Sequence, residues 1–340
     1  MNAIAAGRPM ADRPISRRRM LSIAAGGATA LLAGKRAHAD ADPYVWEGTA
    51  LGAPARLVLC GASREEARSA AIACLGEVER LERQFSLYRP DSALSLLNRL
   101  GSLERPPLDL LHLFDLSVRF GHLTDGAFDI TVQPLWRAYA DYFAGEAASP
   151  AGPPETSVRA ALARVDFRRL GISSERITLA DGMAVTLNGI AQGYITDRVA
   201  DLLRARGWRH VLADLGEMRT LGSAPDGSPW PVAIRVPPGV QRQPTRVEII
   251  DGAVATSAGY ATVFEWSGRA HHLFSPQTGR SAGSFASITV TAPRATTADA
   301  LSTALYVLPP ERIASVLSRV PGTSAYLTDV SGEVRRASAG

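Results

Sequence analysis

The order in which hydrophobic periods follow one another decides the fold class of this 340-residue chain. Helical stripes crowd its first half and short strand-like runs crowd its second. The clearest stripe lies in residues 63–85, with Ala67, Ala70, Ala71, Cys74, Val78, Leu81 and Phe85 on one face and Arg and Glu on the other. Shorter helices are expected at 92–97, 107–121, 131–143 and 157–165. Another, over 194–206, carries Ile195, Val199, Leu202 and Leu203 and stops at Gly207, a residue favoured just past a helix end. Strands are expected at 55–59, 210–213, 218–222, 231–236, 247–250, 253–256, 262–265 and 285–291. Residues 177–187 read as a hairpin about Asp181-Gly182. Helices at 298–308 and 310–320 precede a terminal hairpin of 326–329 and 334–336. Regular βαβ alternation is absent, which argues against a doubly wound sheet. The expected class is α+β, with mixed or antiparallel sheets and packed helices.

Charge divides the chain near residue 39. Residues 1–39 hold Arg8, Arg13, Arg17, Arg18, Arg19, Lys35 and Arg36 against Asp12; that net +6 exceeds the +4 of the whole chain, so the remainder is net −2. Ser16-Arg17-Arg18-Arg19-Met20-Leu21 matches the twin-arginine export pattern. The Gly/Ala-rich run behind it is too short to span a bilayer, and Ala37-His38-Ala39 is a small-x-small cleavage site. The expectation is a signal peptide over 1–39, read by the twin-arginine machinery and cleaved after Ala39 to leave a periplasmic protein. A basic tail or a retained anchor is the alternative. Residues 40–340 are expected to form one domain, with room for a small subdomain near 210–285. Cys60 and Cys74 have apolar neighbours and read as buried free thiols, although the compartment permits a disulfide.

Lys35 is the only lysine, so the body has no Schiff-base or phosphate-loop lysine. It offers no clustered basic face either, which argues against nucleic acid as a partner. Asn188-Gly189-Ile190-Ala191-Gln192-Gly193 joins a strand-like run to a helix through small residues. Such a turn can bring backbone N–H groups to a diphosphate, and it can equally be a plain tight turn. Asp299 and Thr303 stand at i and i+4, on one helix face. A carboxylate with a hydroxyl suits Mg²⁺, while a Thr303 bonded to its own backbone is the plain alternative. His271 and His272 point to opposite sides if extended, one toward a cleft and one toward solvent. No spacing suits zinc, and no serine-hydrolase elbow is present.

Six motifs in order then point to a family. They are FSLYRPDSALSLLN (85–98), DGAFDITVQPLW (125–136), LNGIAQGYITD (187–197), ATSAGY (255–260), HLFSPQTG (272–279) and ADALSTALYVL (298–308). Together they make the chain resemble the ApbE family, the FAD:protein FMN transferases. The resemblance implies an ApbE-like α+β fold and cleavage of FAD at its diphosphate. FMN would pass to a threonine or serine of an acceptor flavoprotein, with Mg²⁺ required and AMP released. By position it assigns the metal to Asp299, Thr303 and the backbone carbonyl of Ala191. It puts Tyr88, Asn98, Asn188, Gly189, Ala191, Gln192, Tyr194, Ser257 and His272 about the ligand. Asp299 and His272, the latter a conceivable base, would be catalytic.

The chain departs from the family pattern DLGGIAKGY: Thr186 stands for the Asp, Asn188 for a Gly and Gln192 for the Lys. The loop LGG(D/N) reads Leu215-Gly216-Glu217-Met218, and Ser275 replaces the Asp of DPxTG. AQGYITD with DLGE, behind a twin-arginine signal, is similar to NosX-type accessory proteins of nitrous oxide respiration. That likeness implies NosR as the acceptor. The lost lysine also motivates an alternative, a non-enzymatic periplasmic flavin carrier or assembly factor.

Overall fold

The computed structural model describes residues 42–338 and the backbone of Thr29 and Ala30. The rest of the segment expected to be an export signal, with the expected cleavage point after Ala39, lies outside the described residues. Strands β1 (Thr29–Ala30), β2 (Tyr44–Ala50), β3 (Ala53–Cys60), β4 (Ser102–Glu104), β5 (Gly171–Ile172) and β6 (Arg176–Thr178) come first. Strands β7 (His210–Asp214), β8 (Met218–Leu221), β9 (Trp230–Ala233) and β10 (Arg246–Ile249) follow. Last come β11 (Ala253–Ala258), β12 (Ser287–Ala292), β13 (Ser324–Thr328) and β14 (Val334–Ser338). The helices are α1 (Arg64–Phe85), α2 (Ala93–Leu100), α3 (Leu108–Leu123) and α4 (Gln133–Phe143), then α5 (Glu155–Leu162), α6 (Ala191–Ala205), α7 (Ala295–Val307) and α8 (Ile313–Leu317).

Eight strands make one sheet, in the order β14-β13-β12-β11-β8-β7-β3-β2. Every pairing in it is antiparallel. The architecture is therefore α+β, as the order of periods requires. The second half of β3, residues 57–60, is apolar without alternation because both of its faces are covered: Leu57 and Leu59 join the helix-covered core, while Val58 and Cys60 join a smaller one. That smaller core takes Trp230, Val232, Val247 and Ile249 from β9 and β10, which lie inside the 210–285 stretch. β7, β8 and β11, from the same stretch, belong to the main sheet.

α1 begins in a capping box, with Ser63 accepting from Glu66 and Glu66 reaching back. Its seven expected stripe positions are all buried. α7 is buried on nearly all sides, against β11, β12 and α6. Cys60 and Cys74 are buried free thiols, which burial pushes up to about 11 and about 12.

Three expectations need correction. Residues 177–187 are no hairpin: β6 ends at Thr178 and pairs with β4 and β5. The stretch beyond finds its backbone partners elsewhere. The Asn98 side chain bonds both the N–H and the carbonyl of Val185 (2.7 and 2.8 Å), and Thr186 N–H donates to the Ile130 carbonyl. Residues 262–265 are no strand. Only the Val263–His271 bridge forms, because the Glu265 carboxylate gathers Ser267 and the Ala270 N–H into a loop. β2 was missed; it pairs with β3 from Tyr44 opposite Leu59 to Ala50 opposite Ala53.

Candidate active site

The loop 188–193 and the Asp299–Thr303 face of α7 meet, although more than a hundred residues separate them in the chain. Gly193 N–H donates to Asp299 Oδ2 at 2.9 Å. A Cβ on Gly193 would lie 2.3 Å from the Ala295 carbonyl oxygen, and one on Gly189 2.9 Å from Thr303 Oγ1. Both glycines are thus required by close approach of α7. The end of β11 closes the third side: Ser257 Oγ lies 2.8 Å from Ser302 Oγ and 3.2 Å from Thr303 Oγ1.

Asp197, one turn along α6, fixes how α7 enters this site. The helix has no cap from its own flanking residue. Instead Asp197 accepts from Ala295 N–H and Thr296 N–H, both at 2.9 Å, and from Thr296 Oγ1 at 2.7 Å. It meets Arg294 at 3.3 Å and the buried Arg219 at 3.6 Å. A carboxylate at a helix N-terminus satisfies free N–H groups and opposes the helix dipole.

These elements border a cleft with about 980 Å³ of empty space, partly open to solvent. Asp129, Glu217 and Asp299 line it, and among the described residues no Arg or Lys does. Burial raises Asp299 above its ordinary value, against the lowering effect of the Gly193 bond. Burial raises Glu217 well above its own, helped by Asp299 and Asp214. Glu217 is 4% exposed, and its Oε2 has no partner among the described residues. Asp129 is spent on Thr131 and the Phe167 N–H.

His272 also lines the cleft, and burial pushes its ring down to about 4, so it is neutral near pH 7. Its Nδ1 lies 3.1 Å from the Thr262 carbonyl, which can only accept. Nδ1 therefore carries the proton, and Nε2 is left with a bare lone pair. His271 is not solvated, contrary to expectation. It is 4% exposed, with Nε2–H donating to the Ala282 carbonyl at 2.6 Å and Nδ1 accepting from Leu273 N–H.

Of the residues singled out in the sequence, Tyr88, Asn188, Gly189, Gln192, Ser257, His272, Asp299 and Thr303 line this cleft. Ala191 lines a neighbouring cleft with about 960 Å³ of empty space, partly open to solvent, which shares Tyr88, Asn188 and Gln192 with the first. Asn98 and Tyr194 lie outside both: Asn98 clamps Val185, and Tyr194 Oη donates to Asp109 Oδ1 at 2.7 Å, tying α6 to α3. Sequence reasoning gave no role to Glu217, Asp129 or Asp197. Glu217 and Asp129 stand inside recognised motifs but have no regular spacing to a partner, and Asp197 acts across the fold.

The donors suit a hard divalent cation: two carboxylates, the Thr303 hydroxyl and backbone oxygen. Among the described residues no group of three or more His, Cys, Asp or Glu gathers for a metal, so hydroxyl and carbonyl oxygens would have to complete the set. The unpartnered Glu217 oxygen fits such an ion.

A family model described as the ApbE family matches residues 51–327. The FAD:protein FMN transferase of Klebsiella pneumoniae (strain 342) is 29% identical over 323 residues, spanning 90% of this chain and 91% of its own. That of Treponema pallidum (strain Nichols) is 33% identical over 288 residues, with 77% of each covered. The solved flavin transferase ApbE from Vibrio cholerae matches with a TM-score of 0.74 at 27% identity, over 88% of this chain and 98% of its own. The ApbE protein from Thermotoga maritima gives 0.76 at 28%, over 87% and 97%. The fold is that of the flavin-transferase class of enzymes. The chain belongs to the ApbE family.

Proposed function

We propose that the chain is a Mg²⁺-dependent FAD:protein FMN transferase of the periplasm, exported by the twin-arginine machinery. It splits FAD at the diphosphate, attaches FMN to a threonine or serine of an acceptor flavoprotein and releases AMP. One observation carries the reading: loop 188–193, the Asp299–Thr303 face and His272 converge on a single open cleft. The paired cavities that share Tyr88, Asn188 and Gln192 suit a ligand with two arms, as a dinucleotide has.

A divalent cation, held by Asp299, Thr303 and the Ala191 carbonyl, would supply positive charge to the diphosphate as it splits. Asn188 and Gln192 offer neutral amide donors in place of the family's lysine. His272 Nε2 takes the proton of the acceptor hydroxyl as that oxygen bonds the flavin-side phosphorus. The bond from this phosphorus to the bridging oxygen breaks, and AMP departs with that oxygen. Thr262, holding Nδ1–H, keeps the imidazole in the tautomer this needs.

NosR is the acceptor we propose, from the NosX-type likeness of AQGYITD and DLGE. The test is to incubate the mature protein with FAD, Mg²⁺ and a NosR flavin domain. The acceptor should gain the mass of FMN while AMP accumulates. A folded acceptor left unmodified, with FAD bound but no AMP formed, would sink the transferase reading in favour of a flavin carrier.

A further inference from the structure

We infer that Glu217 is itself a ligand of the divalent cation in this cleft, so that the chain binds the ion through two carboxylates before FAD arrives. The inference rests on the metal reading above and adds a residue to it. Glu217 sits in the short connection between β7 and β8, in a loop that departs from the family's Leu-Gly-Gly-(Asp/Asn). Its backbone is pinned: the Glu217 carbonyl accepts from Leu215 N–H at 3.1 Å and from Thr196 Oγ1 at 3.4 Å. The side chain lines the cleft together with Asp299, Thr256 and Thr303.

Nothing among the cleft residues neutralises it. Among the described residues the lining includes no arginine or lysine, and the charged neighbours that act on Glu217 are Asp299 and Asp214, both repulsive. Arg219, two residues on, is committed to Asp197 and to the Pro293 carbonyl. Among the described residues the Thr256 backbone N–H is the one favourable neighbour of the carboxylate, and Oε2 has no partner. A buried carboxylate oxygen without a partner is strongly disfavoured, and a second buried carboxylate nearby, Asp299, makes its ionised form more so. A cation between them removes both penalties at once. Mg²⁺ accepts a small number of carboxylates and fills its remaining positions with hydroxyl, water and phosphate oxygens. Asp299, Glu217 and the Thr303 hydroxyl meet that description, with open positions left for the diphosphate.

The probe is Mn²⁺, titrated into the FAD-free protein and followed by the electron paramagnetic resonance signal of the free ion. The parent should bind one Mn²⁺ per chain. Glu217→Gln, which keeps shape and removes charge, should weaken binding at least about tenfold, the scale on which even supporting residues of metal sites act. Equal or tighter binding by Glu217→Gln would overturn the inference and leave the Asp299–Thr303 metal reading standing. A parent that binds no Mn²⁺ would overturn both. Should Glu217→Gln not fold, Glu217→Asp carries the test: it keeps the charge but withdraws it by one methylene. Weakening of about tenfold then supports the inference, and parental affinity overturns it.

Discussion

Gly193→Ala should damage the protein through the contact that builds its site. The new Cβ would stand 2.3 Å from the Ala295 carbonyl oxygen and 2.7 Å from Asp299 Cβ. One of those neighbours is backbone in the first turn of α7, so no rotamer change relieves it. Reaching ordinary contact requires α6 and α7 to part by roughly 1 Å, the kind of overpacking that costs about 1–3 kcal/mol. The same shift stretches the 2.9 Å bond from Gly193 N–H to Asp299 toward its limit. Losing a hydrogen bond to a charged group adds about 1.5–3 kcal/mol, and the better helix propensity of alanine returns about 1. The net expectation is a loss of about 1.5–5 kcal/mol, read as a lower urea midpoint, with weaker Mn²⁺ binding. Gly76→Ala is the control, since Gly76 lies mid-helix in α1 with nothing within 4 Å of a Cβ. It should stabilise by about 0.5–1 kcal/mol. If Gly193→Ala matches the parent in stability and in Mn²⁺ affinity, the packing argument is refuted.

Asp197→Ala removes the borrowed cap of α7 and leaves Arg219 buried without its carboxylate, so a loss of about 3–5 kcal/mol is expected by denaturant melting. Asp299→Asn should cut FMN transfer at least about a thousandfold, the kinetic equivalent of several kcal/mol of charge stabilisation. Its circular dichroism spectrum and melting point should stay near the parent's, since an amide oxygen can still accept from Gly193 N–H. His272 is held neutral, with its ring at about 4 rather than 6.5, so the unfolded chain takes up its proton first as pH falls. Its contribution is full above pH 6.5 and lost as pH drops through about 4, on the order of 3 kcal/mol. The parent should lose about that much more stability than His272→Gln between pH 7 and pH 4, and parallel curves would remove the assignment.

The parts of this molecule legible in its sequence are those whose cause is local. The α1 stripe is periodic and its capping box spans four residues, so both could be read directly. The 177–187 hairpin went wrong because Asn98, 87 residues earlier, supplies the two bonds a partner strand would have supplied. No strand period reveals that substitution. Asp197 escaped notice for the same reason, its partners lying 98 and 99 residues along the chain. β2 was hidden because its alternation is weak: Glu47, Gly48 and Thr49 are all exposed. At the site, the i, i+4 spacing of Asp299 and Thr303 gave the face. What that face meets depends on glycines that permit contact, and a glycine does not name its neighbour.

The missing lysine and the extra glutamate are two sides of one electrostatic arrangement. A phosphate loop with a lysine brings its positive charge covalently attached, whereas this cleft has Gln192 there and three carboxylates on its walls. Left to itself such a cleft offers a diphosphate no positive charge, and any of its carboxylates that ionises repels the ligand more strongly than it would in water. A divalent ion reverses the sign of that interaction only if the site can hold it. Asp299 alone leaves an ion with much of its charge unmet, and Glu217 supplies a second anion at the same wall. With both ligated, the ion and its carboxylates are neutral together, and the open coordination positions, more than a net charge, become the attraction for phosphate oxygen. On the proposed metal reading, binding of FAD would be contingent on prior binding of the ion, and the amides of Asn188 and Gln192 would add neutral donors at the same cleft.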